Sequence, residues 1–141
     1  MKVIVMRAIS GAGKTTLAKK ITKQGGTICS ADDYFLGRKF NPAELSNAHK
    51  ACMRAFLAAL GSGTELVVVD NTNTQLWEAT PYVSVAEAMG YEVEIHEVEC
   101  DVDTAARRNV HNVPRHTVQA MAKRFERSLP WWNVVVHKEV K

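Results

Sequence analysis

Continuous apolar runs alternate along this chain with segments whose apolar positions recur every three or four residues. Lys2 to Ala8 (KVIVMRA) is β-branched and apolar, the pattern of a buried strand. A glycine-rich turn follows, then Lys14 to Gln24 has helical composition and ends at Gly25-Gly26. Thr27 to Ser30 predicts a second short strand, delivering the polar "ADDY" at its C-terminal end. Asn41-Pro42 opens a helix, with asparagine as cap and proline at the first helical position. Leu45, Ala48, Cys52, Phe56 and Ala59 give that helix its stripe, and Gly61-Ser62-Gly63 closes it.

Thr64 to Val69 (TELVVV) is the strongest strand signal, suited to a parallel sheet covered on both faces, and it runs into "DNTNT". Gln75 to Met89 reads as mostly helical, with Pro81 predicting a break or restart. Tyr91 to Val98 (YEVEIHEV) alternates strictly, which predicts a strand with one wet face near a sheet edge. Asp103 is expected to cap a short helix through Arg108, and Asn112-Val113-Pro114 breaks it. Val118, Met121, Ala122 and Phe125 define another helix, and Trp131 to Val140 a last strand.

Strand and helix in alternation argue for an α/β sandwich with a mainly parallel sheet, at a length that fits one domain. Ligands in such sheets sit beyond the C-terminal strand ends. SGAGKT follows the first strand, ADDY the second and DNTN the third, so the polar clusters converge there.

Residues 8–15 (AISGAGKT) match seven of the eight positions of G-x-x-x-x-G-K-[ST], with Ala8 where the first glycine belongs. Gly11 and Gly13 let the backbone turn so that N–H groups of the loop, residues Ser10, Gly11, Ala12, Gly13 and Thr16 among them, can face phosphate oxygens. Lys14 would reach the β- and γ-phosphates of ATP or GTP, and the Thr15 hydroxyl would hold Mg²⁺. Asp32 and Asp33, just past the second strand, stand where a kinase carboxylate can accept a proton from an attacking hydroxyl. Asp70 ends the third strand, where it could hold a Mg²⁺-bound water or orient substrate-binding groups. Asn71, Thr72 and Asn73 are either substrate hydrogen-bonders or a cap. Arg107 and Arg108 fit a lid closing positive charge over phosphates.

Charge sharpens this picture, because the net +3 is unevenly spread. Seven acids and no Lys or Arg lie between Ser84 and Asp103, whereas six Lys/Arg and one acid lie between Ala105 and Arg127. A basic face for phosphates and a solvated helix surface both fit. Asp101-Val102-Asp103-Thr104 resembles the start of an aspartyl-phosphate phosphatase, but Ala105 and the short remainder exclude that fold. Trp131-Trp132 reads as packing rather than base stacking. Three dispersed cysteines (Cys29, Cys52, Cys100) predict reduced thiols and a cytoplasmic protein. No apolar run approaches a membrane span and no signal peptide is read, so no membrane partner is expected.

The ordered set AISGAGKTT, SADDYF, AHKACMRAF, VVVDNTNTQLWEATPY, GYEVEIHEV and RRNVHNVPRHTVQAMAKRFE resembles the P-loop polynucleotide 5′-hydroxyl kinase family, especially its compact phage-type module. The resemblance runs from about Lys2 to Glu126. It implies a three-layer P-loop kinase fold over residues 1–141, with a short helical lid at about 104–116 and a tail at 130–141. It also implies transfer of the ATP γ-phosphate to a nucleic-acid 5′-OH; no protein partner is predicted. On this resemblance Lys14 and Thr15 are the phosphate and Mg²⁺ residues, Asp32 the general base, and Arg108 a lid arginine on ATP phosphates. Asp33, Asp70, Asn71, Asn73 and His49 would line the acceptor side.

Three departures stand out. Phe35 occupies the place of an acceptor-binding arginine, three residues after the base. A second lid arginine is replaced by His111 and Asn112. The fused phosphatase domain of some family members is absent from these residues. A small-molecule or modified-base kinase and a nucleotide-binding module without catalysis remain as alternatives, the former because the 42–60 helix carries few basic residues beyond Lys50 and Arg54.

Overall fold

The computed structural model describes residues 1–108 and 113–138. Strands β1 (Lys2–Arg7), β2 (Thr27–Cys29), β3 (Leu66–Val69), β4 (Glu92–Val98) and β5 (Val134–His137) form one sheet in the order β2-β3-β1-β4-β5. All four pairings are parallel, with Val3 beside Val67 and Val93, and Val5 beside Val69 and Ile95. The helices are α1 (Lys14–Ile21), α2 (Leu45–Gly61), α3 (Leu76–Ala88), α4 (Val102–Arg108) and α5 (Arg115–Arg124).

The unbroken apolar runs follow from helices on both faces. Val3, Val5, Val67 and Val69 join α2 and α3 through Cys52, Phe56, Tyr82 and Val83. Ile4, Met6 and Val68 point the other way and join α1, α4 and α5 through Leu17, Ala18, Ala105 and Val118. The period of two along each central strand therefore feeds two cores rather than a core and solvent.

Four sequence expectations change. Pro81 lies inside an uninterrupted α3. The hydrogen bond it cannot make would go to the Trp77 carbonyl; both residues lie on the exposed face, where water can serve that oxygen. α3 begins firmly, because the Glu78 carboxylate accepts from the Gln75 N–H and the Thr74 hydroxyl, both at 3.1 Å. β4 lies between β1 and β5 rather than at an edge. Its polar positions meet partners: Glu94 takes Lys2 and His96, both at 2.9 Å, and His96 Nδ1 lies 2.8 Å from His137 Nε2. Asp101, not Asp103, caps α4, accepting from the Thr104 N–H at 2.8 Å, while Asp103 pairs with Arg115. Trp131 and Trp132 part company: Trp132 packs on the α2–α3 core, whereas Trp131 is 76% exposed.

Among the described residues no helix is long and apolar enough to cross a membrane. The 109–112 part of the expected lid, with His111 and Asn112, and the 139–141 end of the tail lie outside the described residues.

Candidate active site

β1 ends at Arg7 and the chain turns through the glycine loop into α1. Gly11 (φ +87°) and Gly13 (φ +102°) supply the two left-handed positions the turn needs. Ala8 is not left-handed: its N–H donates to the Thr72 carbonyl at 3.0 Å and its methyl is buried beside Ile9 and Leu17. The missing glycine is thus tolerated because nothing at that position requires one. α1 starts with no side-chain cap and no acid in its first turn, which leaves its amide end positive and open to an anion. Lys14 is buried, with no hydrogen bond or ion pair among the described residues.

Gly11 has a second role that its place in the motif does not suggest. A Cβ there would lie 2.1 Å from the Ala105 carbonyl oxygen, so α4 rests directly on the loop. α4 also separates Arg107 from Arg108, the two arginines expected in a lid. Arg108 reaches back to donate to the Ala12 carbonyl at 3.2 Å, while Arg107 turns outward to Thr104.

Across the sheet's C-terminal edge, the Thr15 hydroxyl donates to Asp70 Oδ2 at 2.8 Å, and Asp70 Oδ1 is buried with no partner among the described residues. This is the strongest sign of an inorganic ligand. The hydroxyl gives its hydrogen to Asp70 and keeps lone pairs for a cation, and the orphaned oxygen can take a metal-bound water. A Mg²⁺ ion, which keeps several waters and shares substrate phosphates, fits that donor set.

Asp32 and Asp33 lie in the 3-10 turn Ala31–Phe35 after β2. Its first turn is fixed by Ser30, whose hydroxyl oxygen accepts from the Asp32 N–H at 3.2 Å. Partial burial, then the charges of Asp32 and Asp70, hold the Asp33 carboxyl above its ordinary value. The three acids are therefore electrostatic neighbours.

Asn71 and Asn73 work inward. Asn71 Oδ1 accepts from the Ala31 N–H at 2.9 Å and its amide reaches Cys52 Sγ at 3.4 Å, which ties the β3 loop to the β2 turn. Asn73, left-handed at φ 45°, donates to the Met6 carbonyl at 2.9 Å. Both side chains hold the loops rather than face an acceptor. His49 is exposed near the start of α2. Burial pushes the Cys29 thiol up to about 11 and raises Cys52 as well, so both stay protonated at neutral pH.

Sequence reasoning missed Arg7. It is fully buried and donates to the carbonyls of Asn73 (2.8 Å), Thr74 (2.9 Å) and Glu126 (2.7 Å) and to Ser128 Oγ (2.7 Å). Its guanidinium lies 4.6 Å from the Phe125 ring centre. Burial pulls its pKa down against the pull of Glu97, Glu126 and Glu78. The signal was available: a lone arginine inside a buried run needs such a set of acceptors. Beside the loop, a cavity of about 670 Å³ opens between Ile9, Val98, Cys100, Asp101, Phe125 and Lys138.

A parallel sheet with a Gly-Lys-Thr loop after its central strand, an acid at the end of the neighbouring strand and an arginine-bearing helix on the loop is a P-loop fold of the kinase kind. The chain belongs to the AAA domain family, whose sequence pattern matches residues 3–128. It is 30% identical to human NEDD4-binding protein 2 over 133 residues, which covers 88% of this chain but spans only 8% of that protein. Among solved structures it is similar to a gluconokinase from Sinorhizobium meliloti 1021 (TM-score 0.71, 15% identity, 99% of this chain and 83% of that one). It is also similar to Kti12 from Chaetomium thermophilum in complex with ADP-AlF3 (TM-score 0.67, 16% identity, 96% and 87%). The fold is thus shared with kinases and with a protein seen holding a nucleotide.

Proposed function

We propose that this chain is an ATP-dependent, Mg²⁺-requiring phosphotransferase whose acceptor is the 5′-hydroxyl of DNA or RNA. The observation that carries the chemistry is the Thr15–Asp70 hydrogen bond with its orphaned Oδ1, set beside a buried Lys14. The acceptor is read from the resemblance of the ordered motifs.

In this reading the loop amides and Lys14 hold the ATP phosphates. Bound Mg²⁺ would neutralise phosphate charge, held by Thr15 directly and by Asp70 through water. Asp32 takes the proton of the attacking hydroxyl. Lys14 and Arg108 offset the negative charge that spreads over the transferring group. The chain contributes mainly position and charge, as phosphoryl transfer requires.

A second reading, transfer to a small molecule or modified base, draws on Phe35. Its ring packs against Tyr34 and Phe40, so this position offers no cation to an acceptor phosphate.

Transfer from γ-labelled ATP to a panel of 5′-OH DNA, 5′-OH RNA, nucleosides and small alcohols separates the readings. Label is expected on nucleic-acid 5′ ends, with Asp32→Asn slower by about 10²–10⁴-fold. Label confined to other acceptors moves the chain to the second reading, and an Asp32→Asn enzyme of normal rate removes the base assignment. Nucleotide binding without any transfer would instead mark a non-catalytic module.

A further inference from the structure

The segment that follows the Asp32–Asp33 turn exposes more apolar surface than a loop requires. Leu36 is 75% and Phe40 57% exposed. Their neighbours are organised. Tyr34 is anchored by its hydroxyl, which donates to Glu44 Oε2 at 3.1 Å, and its ring carries the Arg38 guanidinium at 4.4 Å. Phe35 meets Tyr34 edge-on at 5.2 Å, and Phe40 leans on Phe35 at 5.0 Å. Three rings thus run in a chain from the anchored Tyr34 to the exposed Phe40. The loop between Phe35 and Asn41 carries Arg38 and Lys39 and no acid.

An exposed ring backed by two others costs little to hold in place when a flat partner stacks on it. Two cations beside it suit a polyanion rather than a neutral or apolar partner. Interleaved aromatic and basic side chains are how proteins grip single-stranded nucleic acid, bases on rings and phosphates on cations. A small alcohol acceptor would use neither.

We propose that this loop is the strand-gripping part of the acceptor site: Phe40 stacks a base of a single-stranded 5′ end, and Arg38 and Lys39 hold the phosphates that follow the reacting nucleotide. The inference rests on the nucleic-acid reading given above. It assigns to Arg38 and Lys39 the phosphate contact that Phe35 cannot make, and it makes the grip local to the turn that bears the proposed base.

The test is steady-state transfer from ATP to a 5′-OH oligonucleotide, comparing wild type with Phe40→Ala, Phe40→Leu, Phe40→Trp and Arg38→Gln. KM for the oligonucleotide should rise about tenfold in Phe40→Ala, and the rise should persist in Phe40→Leu, which keeps apolar packing on Phe35. Phe40→Trp should restore it. Arg38→Gln should lower the salt dependence of oligonucleotide binding, read by fluorescence anisotropy, by about one phosphate contact. KM for ATP in the same reactions is the internal reference. Unchanged oligonucleotide KM and salt slope in active enzymes overturn the proposal while leaving the 5′-kinase reading intact, and assign the exposed rings to another occupant. Failure of wild type to phosphorylate any oligonucleotide overturns the 5′-kinase reading and this inference together.

Discussion

Replacing Gly11 by alanine tests the contact between the glycine loop and α4. The new methyl carbon would sit 2.1 Å from the Ala105 carbonyl oxygen and 2.8 Å from its carbonyl carbon. Both are backbone atoms, so no side-chain rotation relieves the clash, and α4 must retreat by roughly 1 Å to reach van der Waals distance. The left-handed backbone at φ +87° adds about 1–2 kcal/mol for any residue with a Cβ. Overpacking a well-filled contact adds about 1–3 kcal/mol. If the structure held still, the total would be about 2–5 kcal/mol. A helix of seven residues is more easily displaced than the sheet, so much of the strain should appear as movement of α4. That movement draws Arg108 away from the Ala12 carbonyl. Titration with a fluorescent ATP analogue should show affinity at least tenfold weaker, with a urea midpoint lowered by less than the full clash predicts. Ala8→Gly, by contrast, should stay within a few-fold of wild type, because Ala8 has ordinary backbone angles. Wild-type affinity and midpoint in Gly11→Ala would refute the packing of α4 on the loop.

Two further predictions concern charge. Asp70→Asn removes a buried carboxylate whose Oδ1 has no partner among the described residues, so the ligand-free protein should be no less stable than wild type. The gain in thermal midpoint on adding Mg²⁺ and ATP, worth about 2.7 kcal/mol at a hundred times Kd, should disappear; a variant that keeps the gain would clear Asp70 of any role toward the cation. Burial, then His96, lowers the His137 pKa, so below about 6.5 the unfolded chain binds a proton that the folded one resists. Stability should therefore fall as pH drops from neutrality toward 5, before the salt-bridged Glu94 begins to titrate. The urea midpoint followed against pH should show this slope, and His137→Gln should flatten it; an equal slope in both proteins would place its origin elsewhere.

The placement of the candidate site was legible because strand ends announce themselves. KVIVMR and LVVV are apolar without alternation, and the polar residues that interrupt each run, SGAGKT and DNTN, mark where the chain leaves the sheet. The interior place of β4 was hidden because its alternation resembled solvent exposure. Glu94 and His96 instead meet Lys2 and His137, from positions 92 and 41 residues away, and pairing at such distance leaves no local pattern. Pro81 looked like a break because proline removes a helix hydrogen bond and crowds the carbonyl four residues back, and whether water can serve that carbonyl depends on which face of the helix it occupies. The inward roles of Asn71 and Asn73 were equally hidden, since an asparagine that braces a loop and one that binds a substrate are the same letter. Gly11 could be read as a phosphate-loop glycine, but its contact with Ala105 lies 94 residues away and leaves no trace in the motif.

Arg7 gives the chain an order of completion. Its four acceptors lie 66, 67, 119 and 121 residues further along. While the chain emerges from its N-terminus, the glycine loop is made almost first, yet the cation beneath it stays in water until the segment around Ser128 has arrived. Local helices and the β1–β3 pairing can form earlier, but the floor of the site closes only with these long-range contacts, the slow kind in folding. A nascent chain lacking that segment would carry the whole phosphate-loop motif on an unfinished base.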